Sequence, residues 1–191
     1  MAHIVSRAER EKNLHKDLAQ NYISRKGNPV CKLIDRFWYQ MMVWNFPFSS
    51  RPTTQVVDLG AGTCLMYEYL KDYPGIFYTG IDISDEMILY AKLCYGNTAR
   101  FQAYTKDLDN FFSLDQDFDV YIMRSLVHHL DHKKEFLEKL FSHMRTGAVA
   151  IISEPNRNFF THIFRELLKK VRKNHFDPEH EDMSKRFFLE I

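Results

Sequence analysis

The spacing of apolar residues separates short strand-like runs from longer segments with helical periodicity. Apolar runs that suit buried strands occupy residues 56–59, 77–82, 100–104, 118–123 and 148–153. Segments with one apolar face predict helices over residues 6–25, 30–45, 65–73, 84–96, 133–145 and 159–173. Because strands and helices alternate, the pattern predicts an α/β fold with a doubly wound, mostly parallel sheet and helices on both faces.

A glycine loop follows the first predicted strand, in the stretch VVDLGAGTC at residues 56–64. Gly60 and Gly62 let the backbone turn sharply and approach a ligand, where a Cβ would intrude. Asp58 puts a carboxylate at the carboxyl end of a strand, where it needs a partner such as a cationic ligand group or loop amides. Together these residues indicate a nucleoside-like ligand that carries a positive charge.

Charged residues recur at the carboxyl ends of the predicted strands. They are Asp58, Asp82, Asp107, Arg124 and Glu154. In open parallel sheets, ligands bind beyond the carboxyl ends of the strands, at the point where the strand order reverses. The series therefore predicts that these residues share one ligand-binding edge of the sheet.

The loop does not fit the fingerprint of dinucleotide-binding proteins. That fingerprint needs a third glycine, which lets the helix pack closely beneath the pyrophosphate. Leu65 occupies this position, and the charge of Asp58 would lie unfavourably near a pyrophosphate. A nicotinamide-dependent oxidoreductase is therefore a weak alternative.

Five motifs, taken in order, resemble the successive motifs of class I S-adenosylmethionine-dependent methyltransferases. They are VVDLGAGTC, TGIDIS, KDLD, FDVYIMRSLVHHLDH and GAVAIISEP, and the resemblance covers roughly residues 10–160. It implies a Rossmann-like methyltransferase sheet and S-adenosyl-L-methionine as the cofactor. The sheet of that family usually ends in a β-hairpin, for which the residues after Pro155 contain no convincing strands, so we expect this hairpin to be missing.

The resemblance also implies which residues meet the cofactor. Those around its methionine and ribose parts are Asp58, Gly60, Ala61, Gly62 and Arg124. Asp82 would accept from the ribose hydroxyls, unless it only caps a helix, and Ile83 would flank the adenine ring. Asp107 would meet the adenine amino group beside the backbone amide of Leu108, unless it belongs to a solvated turn. Cys64 stands where the family often has another glycine, and a packing role suits it better than a reactive thiol.

Three histidines, His128, His129 and His132, follow the fourth strand as HHxxH. The resemblance places this loop beside the reactive methyl group, and we expect no metal there. His129 is the first candidate for the catalytic base and His128 the second, since histidine exchanges protons near neutral pH. The alternative is that one of them only packs or hydrogen-bonds the loop. Glu154 would bind an acceptor amine, orient a histidine or cap the next turn.

Net charge and motifs constrain the methyl acceptor. Lys and Arg total 26 against 25 Asp and Glu, so no global field recruits nucleic acid or a membrane surface. The sequence MRSL after the fourth strand lacks the Asn/Asp-Pro-Pro-aromatic motif of enzymes that methylate bases. We therefore expect a small-molecule acceptor. The alternative is a non-catalytic cofactor-binding or regulatory subunit.

The chain divides into one compact domain with three parts. Residues 1–50 are predicted to form a helical lid that includes Tyr22, residues 51–158 the cofactor-binding core, and residues 159–191 a C-terminal helical segment. The lid surface would be the aromatic residues Phe37, Trp38 and Trp44, unless this apolar helix face only packs in the core. The fifth strand would then be an exposed edge, which predicts a homodimer or another covering partner. The alternatives are that the C-terminal helix folds over this edge or that the chain is a fragment or a shortened form.

Cysteine spacing and hydropathy bear on location. The three cysteines are scattered and form no disulfide framework, and no signal peptide or long apolar run is present. We therefore expect a cytoplasmic protein.

Overall fold

The computed structural model describes residues 29–44, 52–114 and 116–154. The helices predicted over residues 6–25 and 159–173, together with Tyr22, lie outside these ranges. The same holds for the residues in which the final hairpin was expected to be missing.

Helix α1 (Pro29–Trp44) precedes an alternation of strands and helices. The strands are β1 (Thr54–Leu59), β2 (Ile76–Asp82), β3 (Phe101–Thr105), β4 (Val120–Arg124) and β5 (Val149–Ser153). The later helices are α2 (Tyr67–Leu70), α3 (Asp85–Tyr95) and α4 (Lys133–His143), with 3-10 turns at Leu108–Ser113 and Val127–His129. All five predicted strands are confirmed, each with small shifts at its ends.

The five strands form one parallel sheet in the order β3-β2-β1-β4-β5. Strand β1 pairs with β2 on one side and with β4 on the other, so the strand order reverses between β1 and β4. The predicted doubly wound fold is confirmed. Ligands bind such sheets at this reversal, beyond the carboxyl ends of the strands.

Each face of the sheet has its own apolar core. Val56 and Ile122 point to the face that α1 covers, while Val57 and Met123 point to the face that α4 covers. This alternation follows from the two-residue period of side chains in a strand. Helix α1 packs on its core through Tyr39, Met42 and Val43. Both faces of the central strands are therefore buried, and the carboxyl edge remains for a site.

Helix α3 begins and ends as the sequence predicts. The Ser84 side chain accepts a hydrogen bond from the Met87 backbone N–H at 3.3 Å, and Gly96 ends the helix with a φ of 76°. Its left-handed backbone is the conformation that glycine adopts without strain.

Helix α2 is shorter than the predicted span of residues 65–73. The chain after the glycine loop first makes turns in which the N–H of Tyr67 donates to the carbonyl of Cys64, three residues back. Cys64 itself has a left-handed φ of 55°. Because such turns are tighter than an α-helix, the regular helix begins only at Tyr67 and ends at Leu70.

The glycine loop packs directly on the middle of β2. A Cβ added at Gly80 would overlap the Sγ atom of Cys64 and lie 3.3 Å from the Cβ atom of Ala61. Cys64 is fully buried, which fits the packing role predicted for it. Gly80 and Cys64 therefore share one small space between strand and loop.

We expect Gly80→Ala to lower the free energy of unfolding by about 1–3 kcal/mol, because the added methyl group overpacks this space. Cys64→Ala in the same chain removes the overlapping sulfur. The double variant should be more stable than the sum of the two single losses by about 1 kcal/mol. Urea unfolding measures all three. Cys94→Ala, at an exposed cysteine, is the control and should combine additively with Gly80→Ala. Additive losses for Cys64 would contradict this account.

Candidate functional site

A buried carboxylate lies where the strand order reverses. Asp58, in β1, is 5% exposed, and its Oδ2 atom accepts a hydrogen bond of 2.5 Å from the hydroxyl of Tyr78 in β2. Burial raises the pKa of Asp58 to about 7, although the Tyr78 hydrogen bond and the charge of Arg124 act in the opposite direction. The negative charge of Asp82 raises it further. A carboxyl group so balanced changes its charge near neutral pH.

Arg124 joins the end of β4 to helix α1. Its guanidinium donates to the Tyr39 hydroxyl at 2.9 Å and to Asp35 Oδ1 at 3.0 Å, and its Cζ atom lies 4.4 Å from the centre of the Tyr39 ring. Tyr39 also stacks on Tyr69, with ring centres 5.1 Å apart. These contacts dock α1 beside the binding edge.

Helix α1 contacts the site through side chains other than the aromatic residues of the predicted lid surface, and a lid role for those aromatic residues stays a prediction. Phe37, Trp38 and Trp44 are 48–72% exposed. Asp35 and Tyr39 make the contacts instead, and the sequence analysis missed both. Their spacing of four residues, which puts a carboxylate and a phenol on one helix face, was the available signal.

The glycine loop has a left-handed backbone at both glycines. Gly60 has a φ of 69° and Gly62 a φ of 53°. A Cβ at Gly60 would lie 2.7 Å from Cδ1 of Leu126, whereas a Cβ at Gly62 would meet no atom of the described residues within 4 Å. The backbone N–H of Ala61 donates to the carbonyl of Ile81 at 2.9 Å. The loop is therefore fixed to β2 and open at Gly62.

Asp82 fastens the glycine loop to the end of β2. Its Oδ2 atom accepts from the Gly62 N–H at 2.7 Å, and its Oδ1 atom accepts from the Ser84 N–H at 2.9 Å. The cap of α3 comes from the Ser84 side chain, so helix capping does not account for Asp82. Each carboxylate oxygen can accept another hydrogen bond. Asp82 can therefore also receive a ligand's hydroxyl groups.

The residues predicted for the adenine side lie next along the edge. The N–H of Lys106, just after β3, donates to the carbonyl of Asp82. Asp107 Oδ1 accepts from the Asp109 N–H at 3.0 Å, which is the local turn contact of the alternative interpretation. Ile83 and Leu108 are partly exposed. A role for these residues in binding stays a prediction.

Glu154, just after β5, organises the loop that carries the histidines. Its Oε1 atom accepts from the N–H groups of Leu126 and Val127, each at 2.8 Å, and its Oε2 atom lies 2.6 Å from His128 Nδ1. Burial opposes ionisation of Glu154, but these hydrogen bonds outweigh it and lower its pKa. Of the three alternatives for Glu154, orientation of a histidine is the one observed.

The three histidines have different surroundings. The side chain of His128 is 1% exposed and is engaged by Glu154. The ring of His129 is partly exposed, with its centre 3.9 Å from that of His128. His132 is exposed and faces Glu135 at 3.4 Å. Within the described ranges, no three His, Cys, Asp or Glu side chains are grouped so that they could hold a metal ion.

The sequence matches known proteins over its central part. Residues 57–150 match a family model described as a methyltransferase domain. The mitochondrial ubiquinone biosynthesis O-methyltransferase of Dictyostelium discoideum is 27% identical over 119 residues, which cover 56% of this chain and 37% of that protein. The chain thus spans little more than a third of the length of this curated relative.

Solved structures share the fold. A magnesium protoporphyrin IX methyltransferase from Synechocystis PCC 6803, with bound SAH, matches with a TM-score of 0.63 at 16% identity, over 97% of this chain and 86% of that chain. A SAM-dependent methyltransferase from Archaeoglobus fulgidus matches with a TM-score of 0.60 at 24% identity, over 81% of this chain and 66% of that chain.

None of the described helices is long and apolar enough to cross a membrane.

The raised pKa of Asp58 implies that the free energy of unfolding depends on pH. Since the pKa lies above its ordinary value of 3.8, Asp58 favours the folded state most below that value, and this contribution is lost as the pH rises through about 7. The Asp58→Asn variant has no carboxyl group at this position and does not lose stability in this way. Between pH 4 and pH 8, its free energy of unfolding should therefore rise relative to that of the wild type by on the order of 2–4 kcal/mol.

Urea unfolding at four pH values tests this difference. Asp72→Asn, at an exposed acid, is the matched control and should differ from the wild type by the same amount at every pH. Parallel curves for Asp58→Asn and the wild type would contradict the account.

Proposed function

We propose that this chain, which belongs to the class I S-adenosylmethionine-dependent methyltransferases, binds S-adenosyl-L-methionine at the carboxyl edge of its sheet and transfers the methyl group to a small-molecule acceptor. The observation that carries the proposal is the pair of carboxylates, Asp58 and Asp82, on either side of the glycine loop. Asp58 is buried, and its pKa of about 7 lies near neutral pH. Asp82 holds the glycine loop, and its oxygens can still accept hydrogen bonds from hydroxyl groups.

The residues present suit this cofactor. The cofactor is a cation with a nucleoside, and Asp58 would offset its positive charge at the reversal point of the sheet. Asp82 would accept from its ribose hydroxyls through the lone pairs that the loop leaves unused. Gly62 has no side chain, and the space beside it among the described residues would be available to the cofactor.

The remaining predicted contacts follow along the same edge. Ile83 would flank the adenine ring, Asp107 would accept from its amino group, and Leu108 would offer its backbone amide. Arg124 would face the methionine part, where its guanidinium would attract a carboxylate. Because Arg124 is held by Asp35 and Tyr39, its position depends on helix α1.

The chemistry of transfer asks little of the protein beyond alignment and proton removal. When bound, the cofactor supplies the methyl group: an acceptor lone pair bonds to the methyl carbon as the carbon–sulfur bond breaks, and that electron pair stays on sulfur. The chain must hold the acceptor in line and take up its proton where it carries one. His129 is the proposed base, because His128 is buried against Glu154.

A small acceptor is supported by the charge balance and by the relatives. The net charge of +1 gives no field for a polyanion. One relative is named for ubiquinone biosynthesis and one structural neighbour for magnesium protoporphyrin IX, neither of which is a macromolecule. The acceptor proposed here belongs to that class.

The assembly stays a prediction. Strand β5 is the outer strand of the described sheet beside β4, and its residues are exposed or partly exposed. A second copy of the chain, which would make a homodimer, or another partner would cover this edge.

Calorimetry with S-adenosylhomocysteine tests the cofactor site. The wild type should bind, Asp82→Asn should bind about tenfold or more weakly because it loses an ionised acceptor, and Glu138→Gln on the exposed face of α4 should match the wild type. His129→Ala should keep its affinity within about twofold, while methyl transfer to a panel of phenols and amines, which carry a proton to be removed, falls about 100-fold or more.

The outcomes separate the alternatives. No affinity in the folded wild type would overturn the cofactor assignment. Affinity without transfer to any acceptor would favour the non-catalytic binding subunit. Transfer that is unchanged in His129→Ala would exclude His129 as the base.

A further inference from the structure

We propose that Tyr78 is a positioning residue, which holds the Asp58 carboxylate in the orientation and charge state that receive the cationic part of the cofactor. This inference rests on the proposed function. None of the sequence motifs includes Tyr78, which lies two residues before Gly80 in the interior of β2.

The position of the Tyr78 hydroxyl is fixed by packing. Tyr78 is 1% exposed, and its ring stacks on that of Phe101, with centres 5.8 Å apart and planes 6° apart. The ring of Tyr67 covers it at 5.4 Å. With its ring so enclosed, Tyr78 cannot move its hydroxyl away from Asp58 without disturbing this cluster.

The register of the sheet brings the two groups together. Asp58 pairs with Gly80, which has no side chain, and Val56 pairs with Tyr78. Side chains two residues apart in a strand point to the same face. The phenol of Tyr78 therefore extends past the glycine position towards the carboxylate, where it donates at 2.5 Å.

The charges around Asp58 show why this hydrogen bond matters. Besides Tyr78, Asp58 faces Asp82 from the end of β2 and Arg124 from β4. The negative charge of Asp82 disfavours ionisation of Asp58. Arg124 also forms an ion pair with Asp35 on α1, so its positive charge does not act on Asp58 alone. Tyr78 supplies a direct hydrogen bond that favours the ionised carboxyl group.

The groups around Tyr78 complete the electrostatic environment. Tyr78 faces Cys64 from the glycine loop and Tyr39 from α1, and burial raises its own pKa well above the ordinary value. Tyr78 is therefore neutral and remains a donor at physiological pH. Without it, burial would leave Asp58 largely protonated, and a neutral acid attracts a cation weakly.

The first test needs no ligand. Carbon-13 NMR of the Asp58 carboxyl group, assigned through Asp58→Asn, gives its titration midpoint in the wild type and in Tyr78→Phe. We expect the midpoint to move upward by about one pH unit or more in Tyr78→Phe, because a hydrogen bond to an ionised group is lost. Tyr67→Phe removes a hydroxyl from the same ring cluster and should leave the midpoint in place. An unchanged midpoint in Tyr78→Phe would overturn the inference.

The second test measures binding across pH. In calorimetry with S-adenosyl-L-methionine and no acceptor, Tyr78→Phe should bind about fivefold or more weakly than the wild type at pH 7, and the difference in affinity should narrow by pH 8.5 as Asp58 ionises. Tyr67→Phe should follow the wild type throughout. An equal loss at every pH would indicate a merely structural role and would overturn the inference.

The two tests separate this inference from the proposed function. Absence of binding in the wild type would contradict the proposed function, while the NMR titration would still decide the role of Tyr78. If Tyr78→Phe does not fold, the Tyr78 hydroxyl proton of the wild type replaces it. That resonance should shift with pH across the range in which Asp58 titrates, and a resonance indifferent to that range would overturn the inference.

Discussion

Asp58 lies in the middle strand of the sheet, where burial makes a carboxylate costly to ionise, and its neighbours are arranged around that cost. Tyr78 donates to it from one adjoining strand and Arg124 favours its charge from the other. A cationic ligand would complete the neutralisation that these two groups begin. The site therefore favours a positively charged ligand at the point where the strand order reverses.

The other acids of the strand ends hold the loops that border this point. Asp82 accepts from the backbone of the glycine loop, and Glu154 accepts from the backbone of the histidine loop. Both carboxylates are thus structural as well as candidate functional groups. Asp82 at the end of β2 and Glu154 just after β5 thus hold the loops that follow β1 and β4, on both sides of the reversal.

The order of elements and the edge on which the site lies could be predicted from the sequence, because apolar periodicity and strand-end charges are local signals. The role of Tyr78 could not be predicted, since a tyrosine inside a strand resembles any other core residue until the register places its hydroxyl beside Asp58. Helix α2 was predicted too long, because the left-handed backbone at Cys64 and the tight turns after it leave no pattern in the apolar spacing. Contacts between elements distant in the chain have no local pattern.

The most direct test of the account is the proton balance of cofactor binding. Calorimetry with S-adenosyl-L-methionine at pH 7 and no acceptor, in two buffers of different ionisation enthalpy, measures the protons released per ligand bound. The account predicts release of about half a proton in the wild type and none in Asp58→Asn, because the ligand selects the ionised carboxylate of a group that is about half protonated at this pH. Binding without proton release in the wild type would contradict it.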